Sequence, residues 1–224
     1  MITTSEMISR NPQETPLAEK RVTLHNISWS AYEQILDALG DNRAARLTYY
    51  QGMLEIMTPL EEHESVNSLV RQLIELLAEE LNFNLKSMGS TTLKIPILKS
   101  SPEPDKCYYI QNEPLVRGKT VNLAVDPPPD LILEVDITHT DINKKQMYED
   151  MKVPEFWRYN GTKLTIYILE QGEYQESETS ATFAILTKSI VYDFLAQCKT
   201  LGETQTKRAF RKMLQAQIQQ YFSY

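Results

Sequence analysis

Asp130-Leu131-Ile132-Leu133-Glu134-Val135-Asp136 is the stretch from which the rest of the chain is read. Leu131-Ile132-Leu133 suggests a strand buried at the centre of a sheet, with 130–138 as its outer limits. Period-two alternation puts Asp130, Glu134 and Asp136 on one face and Leu131, Leu133 and Val135 on the other. Carboxylates on a buried strand are costly unless a cation or a hydrogen-bond donor answers them. Two carboxylates two positions apart stand about 6.6 Å apart along a strand. A hard cation such as Mg2+ takes oxygens from one or two acids together with water and substrate phosphate. That spacing therefore suits a divalent ion. Asp130 lies about 13 Å from Glu134 along the strand, too far to share one ion, and reads as a strand-entry cap.

Upstream, Glu103-Pro104-Asp105 opens a second strand-like stretch, 105–110. A carboxylate held just after a proline at the mouth of a strand is fixed in direction. It suits a metal ligand and equally a turn acid capping a loop. Between the two acidic segments, 112–129 ends in Asp126-Pro127-Pro128-Pro129, which lacks ladder donors and reads as a loop.

Ser30-Ala31-Tyr32-Glu33 is a capping-box pattern, and Tyr32, Ile35, Leu36 and Leu39 follow at helical spacing up to Gly40, predicting a short helix that packs as a lid. Residues 47–50 and 53–57 flank Gln51-Gly52 as a hairpin. Thr58 is expected to cap a long helix, with Pro59 in its first turn and Glu61 reciprocating. Val66, Leu69, Val70, Leu73, Ile74, Leu77 and Leu81 form its apolar stripe. A strand bent near Gly89 is expected over 85–98. Thr140 or Asp141 is expected to cap a helix bearing Lys144, Met147, Tyr148 and Met151. A second hairpin, 155–159 and 163–169, turns at Asn160-Gly161, one or two more strands fill 173–188, and the chain from Ser189 onward is helical in pattern. Lys207, Arg208, Arg211 and Lys212 lie close together there; a solvated helix face explains them more simply than a phosphate-binding arm. The order predicts a mixed central sheet flanked by helices, in one domain over 25–200, with a loose arm over 1–24 and a helical extension over 201–224 packed on the same domain.

With 23 Lys+Arg against 30 Asp+Glu the net charge is −7, the wrong sign for a protein that grips phosphate over its whole surface. A nucleic-acid enzyme needs basic residues along one groove only. No apolar run approaches the roughly 18 residues that would span a bilayer. The first twenty residues resemble neither a signal nor a transit peptide. Cys107 and Cys198 are too few for a disulfide framework, which fits a reducing compartment, so a cytoplasmic protein with no membrane partner is expected.

Five stretches together carry a family resemblance: TYYQGMLEIMTPLEEHE (48–64), GSTTLKI (89–95), EPDKCYYI (103–110), VDPPPDLILEVDIT (125–138) and KVPEFWRYNGTKLTIYIL (152–169). Over about residues 25–200 the chain resembles the bacterial Uma-two family of restriction-endonuclease-like proteins, a branch of the PD-(D/E)XK nuclease superfamily. The resemblance implies a restriction-endonuclease-like PD-(D/E)XK core with an added N-terminal hairpin and C-terminal helices. It matches Asp105 to the first superfamily Asp and Glu134 to the second acid. It implies Mg2+- or Mn2+-dependent hydrolysis of phosphodiester bonds, with nucleic acid, DNA above RNA, as partner. The lysine expected two residues after Glu134 is replaced by Asp136, so the resemblance passes that role to a basic residue on the next helix, Lys144, with Lys145 as the neighbouring candidate. Asp136 is then a candidate third ligand. Among the acids opening the long helix, Glu61, Glu62 and Glu64, Glu62 is the favoured extra ligand, although acids there are commonly placed by the helix dipole.

Three competing explanations accompany this assignment. Glu134 and Lys144 could form a structural salt bridge. A catalytically silent member could bind nucleic acid or a protein. A hydrolase of smaller phosphate esters would suit the acidic surface. His63 and His139 lack the spacing of a zinc site and read as hydrogen-bonded or surface residues. Trp157 and Tyr159 read as packing residues, and a homodimer is expected if both strands of a duplex are cut.

Overall fold

The computed structural model describes residues 20–221 apart from Asp41 and Ser90. In chain order the elements are β1 (Lys20–Leu24), α1 (Trp29–Leu39), β2 (Arg46–Tyr50), β3 (Met53–Thr58), α2 (Glu61–Glu80), β4 (Lys86–Met88), β5 (Ser100–Ser101), β6 (Lys106–Tyr109), α3 (Glu113–Val116), β7 (Leu131–Val135), α4 (Lys144–Asp150), β8 (Glu155–Tyr159), β9 (Leu164–Glu170), β10 (Glu173–Ser177), α5 (Lys188–Leu201) and α6 (Glu203–Tyr221). The strands make two sheets: a small one in the order β1-β3-β2-β5 and a large one in the order β10-β9-β8-β7-β6-β4. β1 falls in the segment read as a loose arm; the remainder of that segment lies outside the described residues.

β7 is an interior strand of the large sheet, antiparallel to β6 and parallel to β8, which it reaches through α4. The predicted alternation holds. Leu131, Leu133 and Val135 pack against the α2 stripe of Val66, Val70, Leu73 and Leu77, while Ile132 joins Met147, Tyr148 and Phe156 on the opposite face. α5 and α6 cover the α2 side as well, through Val191, Phe194, Phe210 and Leu214. Arg211 clips α6 to α2 by pairing with Glu80 at 2.9 Å. Among the described residues no helix is long and apolar enough to cross a membrane.

The helix starts differ from expectation: Ser30 lies inside α1, and at α2 and α4 the threonines expected as caps, Thr58 and Thr140, are engaged elsewhere. α1 is capped by Ser28, which accepts from the Ala31 N–H at 3.1 Å, and Glu33 turns instead to Lys94 at 2.6 Å. Thr58 is the last residue of β3, opposite Lys20; α2 begins after Leu60 without a side-chain cap, its first turn carrying Glu61, Glu62 and Glu64 against the positive end of the dipole. Thr140 donates to Glu55 at 2.7 Å, so Asn143 caps α4 by accepting from the Gln146 N–H. α1 is no lid. Tyr32 stacks on Tyr49 with ring centroids 4.7 Å apart and belongs, with Leu47 and Leu54, to the core of the small sheet. Among the described residues of the strand expected over 85–98, only β4 is a strand; the far end of that range is a 3-10 turn opened by Pro96, which lacks a ladder donor. The loop after residue 112 contains the one-turn α3, which has proline in its first turn.

Candidate active site

The acids assemble where β6 and β7 meet the small sheet. Lys106 pairs with Leu133, so one further step of the antiparallel register sets Asp105 across from Glu134. Asp105 Oδ2 accepts from the Val135 N–H at 2.6 Å and lies 3.1 Å from His63 Nε2. Its other oxygen meets the Arg46 guanidinium, which also reaches Glu64 at 2.7 Å. Glu134 accepts from Lys144 Nζ at 2.9 Å and from the Tyr148 hydroxyl. Lys144 and Tyr148 are four apart on α4 and so face the sheet together. Asp136 accepts from Lys144 Nζ at 2.7 Å and from Arg158 Nε at 3.0 Å. Arg21 of β1 adds a third cation 3.6 Å from Asp136 and also pairs with Glu55. Asp105, Glu134, Asp136 and Lys144 are each at most 3% exposed.

Burial opposes every one of these charges, and proximity of opposite charge decides the outcome. For Asp136, burial alone would raise the carboxyl; Lys144, Arg158 and Arg21 outweigh it and hold the group below its ordinary value of 3.8. For Lys144, burial would lower the ammonium, but Asp136 and Glu134 more than compensate and raise it above 10.5. Tyr148 is raised, first by burial and then by Glu134, and stays a neutral phenol donor. Lys144 therefore stays cationic at neutral pH and acts as a fixed charge, not as a base.

The sign of the acid-side dependence follows. A carboxyl whose folded value lies below its unfolded value stabilises the fold above the unfolded value, near 3.8, and loses that contribution as pH falls through the folded one. The urea midpoint of the wild-type chain is expected to fall below about pH 4, and the Asp136→Asn chain to show a shallower acid fall. Equal slopes for the two chains would show that Asp136 does not carry the linkage.

Asp105 and Glu134 fit a divalent ion in donor chemistry: hard carboxylate oxygens on facing positions of neighbouring strands. Each is nevertheless already answered by a basic side chain, and among the described residues no three His, Cys, Asp or Glu side chains converge as a ready metal cluster. Asp136, held by three cations, is the most fully compensated. Glu62 is exposed and lines a separate groove with Glu61, Ser65, Tyr159, Leu195 and Lys199. Of the two lysine candidates, Lys144 reaches the acids and Lys145 lies over the Tyr167 ring. His63 is buried on Asp105, and His139 is exposed beside Asp141. Asp130 binds the N–H groups of Ile110 and Asn112, as a strand-entry cap should.

The sequence reading did not identify Arg21, Arg46, Arg158 or Tyr148 as site residues. Tyr148 alone had a local signal, its helical spacing from Lys144. Arg21 and Arg46 arrive through pairing of the small sheet, and Arg158 through the parallel register that sets it beside Glu134.

A family model, Uma2, described as "Putative restriction endonuclease", matches residues 29–194 and so spans every acid of this cluster. The chain belongs to the Uma2 family. Among solved structures, this Uma2 chain is similar to a protein from Anabaena variabilis described as a "putative nuclease belonging to DUF820". The TM-score is 0.48 at 12% identity, covering 75% of this chain and 98% of the other. No curated protein matches the chain in sequence.

Proposed function

We propose that this Uma2 chain is a divalent-metal-dependent nuclease that hydrolyses phosphodiester bonds, with DNA as substrate. The observation that carries the reading is the position of Lys144, whose ammonium reaches Glu134 from α4 at 2.9 Å although Asp136 occupies the strand position where the superfamily keeps its lysine. A positive charge is thus supplied to the acid pair by a different element. Mg2+ or Mn2+ held by Asp105 and Glu134 would polarise a phosphoryl oxygen and lower the pKa of a bound water.

The chain's own residues have distinct tasks in this reading. The Val135 N–H and His63 fix the Asp105 carboxylate, and Tyr148 fixes Glu134. Lys144 neutralises charge that gathers on the phosphate as it is attacked. A homodimer would give one site for each strand of a duplex.

A catalytically silent nucleic-acid-binding or protein-binding member of the same fold is the second reading. It is favoured by the pairing of each buried acid with a basic side chain. Cleavage of supercoiled and linear DNA with Mg2+ or Mn2+ separates the two readings, comparing wild type with Asp105→Asn and Glu134→Gln at equal folded concentration. Nicking by the wild-type chain that both substitutions abolish is the expected result. No cleavage, together with no metal binding by calorimetry, leaves the silent reading.

A further inference from the structure

Beside Asp105 lies a cleft of about 450 Å3 whose walls include Arg43, Arg46, Thr91 and Thr92. We propose that this cleft, with Lys106 at its flank, is a subsite for a backbone phosphate of the nucleic acid. The ligand class rests on the nuclease reading; the site itself rests on four observations.

Arg43 and Arg46 are buried except for about an eighth of their side chains (12% exposed), and both open on the cleft. Among the described residues the buried Arg43 Nε–H has no hydrogen-bond partner, so Glu103 and the Gly40 carbonyl leave this guanidinium one donor unanswered. Lys106 has no hydrogen-bond or ion-pair partner among the described residues. Gly89 leaves room for the Lys106 side chain: a Cβ there would stand 2.3 Å from Lys106 Nζ and 3.2 Å from the Asp105 carbonyl oxygen.

Carboxylates share the cleft. Glu103 is buried in its wall, bound by Arg43, by Thr92 at 2.7 Å and by the Leu47 N–H at 2.9 Å, so its charge is answered within the wall. Glu64 is half exposed and holds Arg46 from the solvent side, where a phosphate would replace it. Arg46 touches Asp105 with the same guanidinium. A phosphate seated here would therefore draw Arg46 away from the acid that the nuclease reading gives to the metal. A chain with a net charge of −7 thus still sets two arginines, Arg43 and Arg46, in the wall of one cleft, where they can meet an anion locally.

The test is anisotropy of a labelled DNA duplex bound by the full chain in EDTA, over a series of salt concentrations. Lys106→Gln breaks no pair and Glu64→Gln alters a half-exposed side chain, so both are expected to fold, as far-UV circular dichroism would confirm. Arg43→Gln is avoided because it strands the buried Glu103. Lys106→Gln is expected to weaken binding about three- to tenfold and to reduce the salt slope by about one. Glu64→Gln is expected to tighten binding by about two- to fivefold through loss of the competing carboxylate. Unchanged affinity and slope in both variants, or no binding by the wild-type chain, would overturn the subsite. Cleavage with Mg2+ and unchanged binding in the variants removes the subsite and leaves the nuclease. The expected binding changes without any cleavage leave the subsite and remove the nuclease.

Discussion

Lys144→Met is expected to cost about 3–5 kcal/mol of folding stability and to lower the DNA cleavage rate by a factor of about 10²–10³. Lys144 is 3% exposed and lies between two carboxylates that are equally buried. Among the described residues, removing it leaves Glu134 with the Tyr148 hydroxyl and Asp136 with two arginines. The loss has an expected partial remedy, since Glu134 without its lysine is a better host for a divalent ion. Mn2+ should raise the melting temperature of Lys144→Met more than that of the wild-type chain. Urea denaturation with and without Mn2+ measures both quantities. A variant as stable as wild type and indifferent to Mn2+ would remove Lys144 from the centre of the site.

Asp105 supplies the second large effect, and two substitutions there should part company. Asp105→Ala leaves the Arg46 guanidinium, His63 and the Val135 N–H facing an empty buried space. The expected cost is about 3–5 kcal/mol, as for other buried pairs broken from one side. Asp105→Asn retains a carbonyl oxygen for the Val135 N–H and should cost less, near the 1–3 kcal/mol typical of a disturbed buried polar group. Both should abolish cleavage by removing the anionic ligand. Thermal melts paired with cleavage assays check this. Cleavage surviving in Asp105→Asn would mean that the charge at residue 105 is not needed, and the metal-ligand role would pass elsewhere.

Much of this arrangement is legible from local pattern. The alternation around Glu134 places the acid on one face of an interior strand, and the α2 stripe covers the other, because side-chain direction along a strand or helix depends only on position. Lys144 and Tyr148 fall on the buried face of α4 for the same reason. What could not be read depends on contacts between distant segments. Thr140 has the chemistry of a helix cap, yet Glu55, eighty-five residues earlier, takes its hydroxyl. Thr58 is likewise withdrawn from capping by its pairing with Lys20. Arg21 and Arg46 carry no local sign that they will meet Asp136 and Asp105, since sheet pairing alone delivers them. The missing signal is tertiary, and a single sequence holds it only implicitly.

The two sheets meet through this same cluster: β1, β2 and β3 bring Arg21, Arg46 and Glu55, while the large sheet brings Asp105, Glu134, Asp136 and Arg158. The proposed chemistry and the architecture therefore share one set of side chains. A descendant released from selection for cutting could not shed these acids singly, because each deletion would strand a buried arginine or lysine at the joint between the sheets. Its carboxylates would outlive its trade. Within such a lineage, retention of Asp105 and Glu134 reports an intact joint, and loss of enzymatic power would surface first at residues the joint does not use, Lys106 among them.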